Sequence, residues 1–390
     1  MSTVANTGPT EVRTLAASQA EPGVRDSPRH VSATSTDYWF TLVGSIIGSG
    51  GLVWVLYTQV LPFSGLIGFF ICWYLVYLAL FAAVTGINNG RTIVIDRLWT
   101  AIITGAAALV GLALVSAVGF VVIKGWAAVH HVNFFTQSES LSSPGASRLT
   151  QGGIANAMVG TVFELTIATV ISLPLGFGTA IFMSEVGGRF AWVVRTVVEA
   201  MTALPDILAG LFIYTVLIVL LGLPRSGLAA GLALSVMMLP YIARAGYVSL
   251  QVVPGGLREA SLALGATQWG TVRRVVLPTA RSGLATAVIL GMARAIGETA
   301  PVLITSGAST FMNPVFSISQ LSSCFGIGSA SCAPLDYPMN SLPLYIYTAV
   351  RSGEPLFIER GFGAGIVLLA MVLILFVTAR FIARTKVGRR

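Results

Sequence analysis

The sequence predicts an all-α integral membrane protein that crosses the bilayer about eight times. Only 10% of its 390 residues are charged and 55% are hydrophobic, and the mean hydropathy is +0.83. A soluble domain carries about 25% charged residues, so lipid is the main solvent of this chain. The net charge of +8 lies at the ends of apolar runs and not on one basic face, which argues against nucleic-acid binding.

The apolar runs give the order of the predicted elements. Residues 1–37 are rich in Ser, Thr, Pro, Gly and Ala without an apolar run, so they predict a disordered tail. About 20 apolar residues cross a bilayer as a helix, so each later run predicts one span, the fifth short and the fourth long enough to tilt. The predicted spans are residues 38–60, 64–84, 98–122, 154–183, 207–223, 227–247, 282–305 and 361–382.

Both termini are predicted to be cytoplasmic by the positive-inside rule. With an even number of spans and the N-terminus inside, most lysines and arginines face the cytoplasm. The lysines and arginines of the opposite side are Lys124, Arg148, Arg225, Arg351 and Arg360. This orientation leaves two long external segments, residues 123–153 and 306–360.

The cysteines and histidines predict no metal site. Cys72 falls in an apolar run, the histidines lie in polar segments, and no pair has metal-ligand spacing. Cys324 and Cys332 share the second external segment, where the glycines between them allow the close approach that a disulfide needs. Two free thiols are the alternative. The sequence also shows no nucleophile–base constellation, so no catalytic residues are predicted.

One polar segment separates the sixth and seventh predicted spans. Residues 258–278, REASLALGATQWGTVRRVVLP, carry charges that a bilayer would not accept as a span. The pattern predicts two short amphipathic helices that lie in the membrane interface, are joined at Gly265 and end at Leu277-Pro278. An interfacial linker would explain the amphipathicity, but the order of the residues is more specific than amphipathicity requires.

That order resembles the EAA loop of bacterial ABC importer permeases. The residues that carry the resemblance are Glu259, Ala260, Gly265, Leu277 and Pro278. In that family the loop is a coupling helix that docks into a groove on a cytoplasmic ATPase. The resemblance implies the same role here, and we call residues 258–278 the coupling segment.

Further stretches resemble the phosphate-specific permeases, and GETAP at positions 297–301 resembles their A-type subunit. The resemblance implies a type I ABC importer permease core of six spans over residues 98–384, preceded by two additional helices within residues 38–90. Asp206 and Glu164 depart from the family pattern, which has uncharged residues at these positions. The stretches that carry the resemblance are residues 152–176, 239–267 and 293–307.

The resemblance also implies partners in a bacterial inner membrane. They are a second, C-type permease subunit, two copies of an ATP-binding subunit and an external phosphate-binding protein, with membrane lipid around them. Lys124 and Lys386 are the only lysines and neither precedes Ser or Thr, so the sequence has no Walker A motif. We therefore expect no cofactor on this chain, and ATP and Mg²⁺ on the partner ATPase.

Two charges in the predicted span 282–305 are candidates for a substrate path. A charge at that depth costs at least about 2.5–3.5 kcal/mol, so Arg294 and Glu298 are functional candidates, with Thr299 beside them. A guanidinium fork suits phosphate oxygens, and a carboxylate could accept the proton that hydrogen phosphate carries and sulfate lacks. A structural salt bridge is the alternative. Glu164 could face the pore, pair with Arg294 or lie near the outer interface.

The predicted function is the permease subunit of an ATP-driven phosphate importer, forming half of the translocation pore. One alternative keeps the architecture and changes the anion to molybdate or sulfate. Another is a stand-alone secondary transporter driven by an ion gradient. Arg294 and Glu298 would suit that transporter too, but the residue order of the coupling segment would then be a coincidence.

Overall fold

The computed structural model describes residues 36–60, 65–88, 90–141, 149–312 and 337–383. These residues form helices joined by turns, and they contain no β-strand, only an isolated bridge between Gly307 and Met339. The chain divides into two compact units, Met1–Leu114 and Val115–Arg390. Nearly all of the predicted disordered tail lies outside the described residues.

The helices of the first unit are α1 (Thr36–Val55), α2 (Leu66–Asn88) and α3 (Arg91–Val129), the last of which continues into the second unit. The second unit adds α4 (Asn133–Thr136), α5 (Ala155–Ile181), α6 (Gly188–Ala203), α7 (Asp206–Ile213), α8 (Gly227–Gln251), α9 (Gly255–Ala263), α10 (Gln268–Thr271), α11 (Leu277–Ile296), α12 (Ala300–Thr305), α13 (Leu342–Arg351) and α14 (Pro355–Ala383). Turns of π-helix extend α1, α5, α7 and α10 to Val60, Val186, Leu220 and Val276.

Polar side chains tie the helices of the first unit together. The indole of Trp73 on α2 donates a hydrogen bond to Ser49 Oγ on α1 at 3.0 Å. Tyr74 OH, also on α2, donates to the Ala101 carbonyl oxygen on α3 at 3.4 Å. Lipid offers no hydrogen-bond partners, so polar groups within a membrane-spanning bundle are satisfied between helices in this way.

The core of the second unit forms where α5 and α8 pack along each other. Ala168, Ala230 and Ile242 are fully buried at this contact. A Cβ on Gly231 of α8 would lie 2.8 Å from Ile167 Cβ on α5, so only glycine allows this separation of the helices. Small residues at the contact suit a bundle in lipid, where dispersion from close packing replaces the hydrophobic effect.

Seven helices of the described chain are long and apolar enough to cross a membrane, and a bent pair of helices brings the number to eight if the pair counts as one span. The bent pair is Gly188–Ala203 with Asp206–Leu220, at 100° to each other. The predicted short span over 207–223 corresponds to the second helix of this pair, which meets the criteria for a span only together with the first. The bend falls at Leu204-Pro205, because proline disfavours helical backbone in the residue before it.

The predicted span 282–305 is interrupted. Helix α11 ends at Ile296, and α12 begins at Ala300 with a proline in its first turn. Pro301 has no N–H for the carbonyl of Gly297, and proline is favoured at the start of a new helix, so the chain restarts there. Arg294 therefore lies in the last turn of α11, and Glu298 lies in the break.

The ends of the external segment are fixed to the helical core. Met339 N donates to the Ser306 carbonyl oxygen at 3.1 Å, next to the isolated bridge between Gly307 and Met339. Asn340 Nδ2 donates to Glu139 Oε2 at 2.8 Å. Burial raises the pKa of the Glu139 carboxyl, and hydrogen bonds from Asn340 and Asn156 compensate only in part. The predicted Cys324–Cys332 disulfide lies outside the described residues and stays a prediction.

Candidate functional site

The two helix breaks of the second unit meet at one place. A Cβ on Gly210 of α7 would lie 2.5 Å from Pro301 Cα, so α7 and α12 touch through their backbones. Asp206 is the first residue of α7, directly after the bend, and Glu298 lies directly before α12. Discontinuous helices of this kind place polar groups at mid-membrane in many transporters.

Arg294 is held between two carboxylates at this meeting point. Its Nη2 lies 2.5 Å from Asp206 Oδ2 and 3.7 Å from Glu298 Oε1. The three side chains are between 20% and 41% exposed, so they face open space and not the packed core. With all three groups ionised the cluster carries a net charge of about −1, so the guanidinium could bind another anion only by leaving a carboxylate.

A cavity of about 280 Å³ begins at Asp206. Tyr241 of α8 forms part of its wall, and the Arg294 guanidinium stacks on the Tyr241 ring, 5.0 Å from the ring centroid. The remaining wall is mainly aliphatic, with Leu208 and Met237 among its residues. A small volume with a few convergent polar groups is the usual form of a site for a small solute.

The sequence prediction found Arg294 and Glu298 but missed the nearer partner. In the sequence, Asp206 stands out only as a departure from the family pattern, and its separation of 88 positions from Arg294 gives no sign of the contact. Glu298 does pair with Arg294, although from the break and not from the same helix. Thr299 occupies the position before α12, where its carbonyl accepts from Leu303 N at 2.9 Å.

Glu164 lies away from this cluster. It is 1% exposed on α5, and its carboxyl group lies beside Ser306, just after α12. Its Oε1 has no hydrogen-bond partner among the described residues. Of the three predicted alternatives, pairing with Arg294 is absent from this structure, because the ion pairs of Arg294 are with Asp206 and Glu298.

The coupling segment folds as the two predicted helices, α9 and α10. Gly265 joins them with φ +82, a left-handed conformation that glycine adopts without strain. Glu259 and Ala260 are exposed, and no residue of α9 is buried. Leu264 and Trp269 also expose apolar side chains, at 90% and 63%. The segment therefore offers an uncovered, partly apolar surface.

The second helix of the segment does not end at Leu277-Pro278 as predicted. The chain is continuously helical from Gln268 to Ile296, and Pro278 sits in the first turn of α11. Pro278 has no N–H to donate to the preceding turn. The preceding residues Val272–Val276 form a π-helical turn, in which the hydrogen-bond pattern differs from that of an α-helix. Motion of the coupling segment would thus reach Arg294 along a single helix.

The fold and these two regions define a multi-pass membrane component of a transport system. The family model described as binding-protein-dependent transport system inner membrane component matches residues 172–387. The chain belongs to this family of inner membrane proteins. The predicted all-α membrane fold and the resemblance to the permeases of binding-protein-dependent transport systems are confirmed, and the type I core of six spans stays a prediction.

Several characterised relatives are similar to this chain over most of their length. The phosphate transport system permease protein PstA 1 of Mycobacterium tuberculosis H37Rv is 36% identical over 272 residues, 69% of this chain and 81% of that protein. PstA of Mycobacterium leprae is 36% identical over 66% of this chain and 79% of its own. A probable phosphate transport system permease protein PstA of Methanocaldococcus jannaschii is 32% identical over 60% of this chain and 76% of its own length.

Proposed function

We propose that this chain is the permease subunit of an ATP-driven phosphate importer. The observation that carries the proposal is the 36% identity to a phosphate transport system permease protein across 81% of that protein's length. The chain would form half of a translocation pore, with a second, C-type permease subunit forming the other half. An external phosphate-binding protein would deliver the anion, and both termini would be cytoplasmic.

The exposed coupling segment supports the association with an ATPase. Leu264 and Trp269 are exposed apolar side chains of the kind that a docking helix uses as anchors. Glu259, Ala260 and Gly265 would meet the ATPase, and two copies of that subunit would serve the two permeases. ATP and Mg²⁺ would bind there, with no catalytic residue supplied by this chain.

The cluster at the two helix breaks supports a passage for an oxyanion. Arg294 can present a planar fork to two oxygens of phosphate, and Asp206 holds the guanidinium when no anion is present. Glu298 would accept or share the proton of hydrogen phosphate, which would favour phosphate over sulfate and molybdate. Glu164, buried beside Ser306, would contribute only in a conformation that exposes it.

The direct test is phosphate uptake by proteoliposomes that hold this chain with its co-purified subunits and binding protein. We expect uptake that needs ATP on the side of the ATPase, that excess sulfate does not inhibit, and that an ionophore does not stop. Uptake that persists without ATP but collapses with the ion gradient would instead establish a secondary transporter. Inhibition by molybdate or sulfate would assign a different anion.

A further inference from the structure

Both helices of the coupling segment, α9 and α10, bind one residue at the C-terminal end of α5. Arg258, in α9, places Nη2 3.0 Å from Glu185 Oε1. Gln268, at the start of α10, donates from Nε2 to the Glu185 main-chain oxygen at 2.8 Å. Glu185 lies in the π-helical turn that ends α5 and is separated from both helices by more than 70 residues of sequence. We call Glu185, Arg258 and Gln268 the α5 clamp.

The clamp is well ordered by further contacts. Ser184 Oγ also donates to Glu185 Oε1, at 2.9 Å. Arg258 Nη2 donates to the Leu250 carbonyl oxygen at 2.9 Å and Nη1 to that of Val253 at 3.3 Å, so the guanidinium also satisfies the last turn of α8. With side-chain exposures of 10% for Glu185 and 25% for Arg258, the pair is shielded from solvent more than a surface ion pair is.

The coupling segment is also braced internally. Ser261 of α9 and Thr271 of α10 share a hydrogen bond of 2.9 Å between their hydroxyl oxygens. Thr267 caps α10 by accepting from Gly270 N at 3.1 Å. Because of these hydrogen bonds, we expect α9 and α10 to move together. The chain connects them directly only to α8 and α11. Without the clamp, α5 would follow that motion through helix packing alone.

Helix α5 connects the clamp to the anchors of the external segment. With its π-helical turn it is 32 residues long, about 48 Å at 1.5 Å per residue. At its outer end, Thr161 Oγ1 accepts from Leu342 N at 2.7 Å, and Asn156 Nδ2 donates to the Ser309 carbonyl oxygen at 3.0 Å. The same helix therefore holds the coupling segment at one end and both ends of the external segment at the other.

We propose that Glu185 is a positioning residue that passes movement of the coupling segment to α5 and so to the external face. The inference rests on the proposed function, because it assumes that an ATPase moves the coupling segment. Glu185 touches neither substrate nor nucleotide in this scheme. Its role is to make α5 move with α8 and α11, so that ATP hydrolysis and opening of the external side stay in step.

The experiment measures ATP hydrolysed per phosphate imported in the reconstituted complex. For Glu185→Ala we expect this ratio to rise about 5- to 10-fold, with normal co-purification of the ATPase. Glu185→Gln keeps the shape and an acceptor oxygen, and it should raise the ratio only about 2-fold. Glu199→Ala is the matched control, since it removes an exposed carboxylate of neighbouring α6 that forms no ion pair among the described residues, and should leave the ratio unchanged.

A double-mutant cycle separates the clamp from general destabilisation. Arg258→Gln should raise the ratio as Glu185→Ala does, and the double variant should be no worse than the more severe single variant. Additive effects, or an unchanged ratio with reduced co-purification, would overturn the proposal. Failure of the proposed function gives a different result, namely no ATP-dependent phosphate uptake by the unsubstituted complex.

Discussion

The two charged regions of the permease core satisfy an arginine in opposite ways. At the helix breaks, Arg294 meets two carboxylates from different parts of the chain and remains 41% exposed, and one of these carboxylates, Asp206, lines a cavity. At the α5 clamp, Arg258 is bound by one carboxylate and two main-chain carbonyls. Carbonyls at a helix end cannot be exchanged for a solute, whereas a carboxylate beside a cavity can be displaced. Under the two proposals made above, Arg294 would exchange its partner for an anion, whereas Arg258 would hold the coupling segment in place.

Removing the exchangeable arginine tests this assignment most severely. Arg294→Gln should lower phosphate uptake about 100-fold, because the anion loses its charge-bearing donor. The complex should still assemble, as Arg294 is not part of the packed core. Arg294→Lys should recover only part of the uptake, since an ammonium lacks the planar fork. The measurement is radiolabelled phosphate uptake at equal protein content.

A control with the same chemistry is available at Arg225. This arginine also stacks on a tyrosine, with Cζ 5.5 Å from the Tyr214 ring centroid, but it forms no ion pair with Asp206 or Glu298. Arg225→Gln should leave uptake within about 2-fold. An exchange of charges, Arg294→Asp with Asp206→Arg, should not restore transport. Near-normal uptake by that double variant would show that the cluster is only a structural ion pair.

The next largest effect is expected in the coupling segment, at Gly265. A β-branched side chain at φ +82 costs about 1–2 kcal/mol, enough to shift the joint between α9 and α10. Gly265→Val should therefore reduce ATPase co-purification about 10-fold while the chain stays in the membrane. Gly256→Val, in the exposed first turn of α9, is a suitable control. Normal co-purification of the ATPase with the Gly265 variant would refute the docking role.

The two carboxylates around Arg294 should differ in importance. Asp206→Asn removes the negative charge of the partner at 2.5 Å and leaves the arginine to bind phosphate more tightly, so release slows and uptake falls about 5-fold. Glu298→Gln removes the negative charge of the partner at 3.7 Å and should lower uptake only about 2-fold. Uptake rates and phosphate retention on the purified complex distinguish these effects. A larger loss of uptake in the Glu298 variant than in the Asp206 variant would show that Glu298 is the more important partner of Arg294.

The smallest effect concerns the internal bracing of the coupling segment. Thr267→Ala removes the cap of α10 and should cost about 1 kcal/mol of local stability. Transport should change little, but amide hydrogen exchange across Gln268–Thr271 should become about 5-fold faster. Thr279→Ala is a control, since the Thr279 hydroxyl only donates to the Val275 carbonyl within a helix. Unchanged exchange would show that the segment is held by the clamp alone.

Part of this architecture follows from the sequence because it depends on neighbouring residues. Apolar runs define spans, and Gly265 defines the joint between α9 and α10, so the sequence predicts both features, although it places the end of the second helix wrongly at Leu277-Pro278. The bend at Pro205 and the break at Gly297 were harder, since a proline predicts a disturbance but not its angle. Asp206 beside Arg294 and Glu185 beside Arg258 depend on how distant helices pack. A lone acidic residue in an apolar stretch was the only signal for Asp206.

The backbone contact between Gly210 and Pro301 has a consequence for anion affinity. Helix α7 begins at Asp206, and Gly210 sets how closely this helix approaches α12. A single methyl group at position 210 would push α7 away from α12 and displace Asp206 without altering any charged side chain. Under the proposed function, phosphate affinity would therefore depend on main-chain separation as well as on which residues carry the charge.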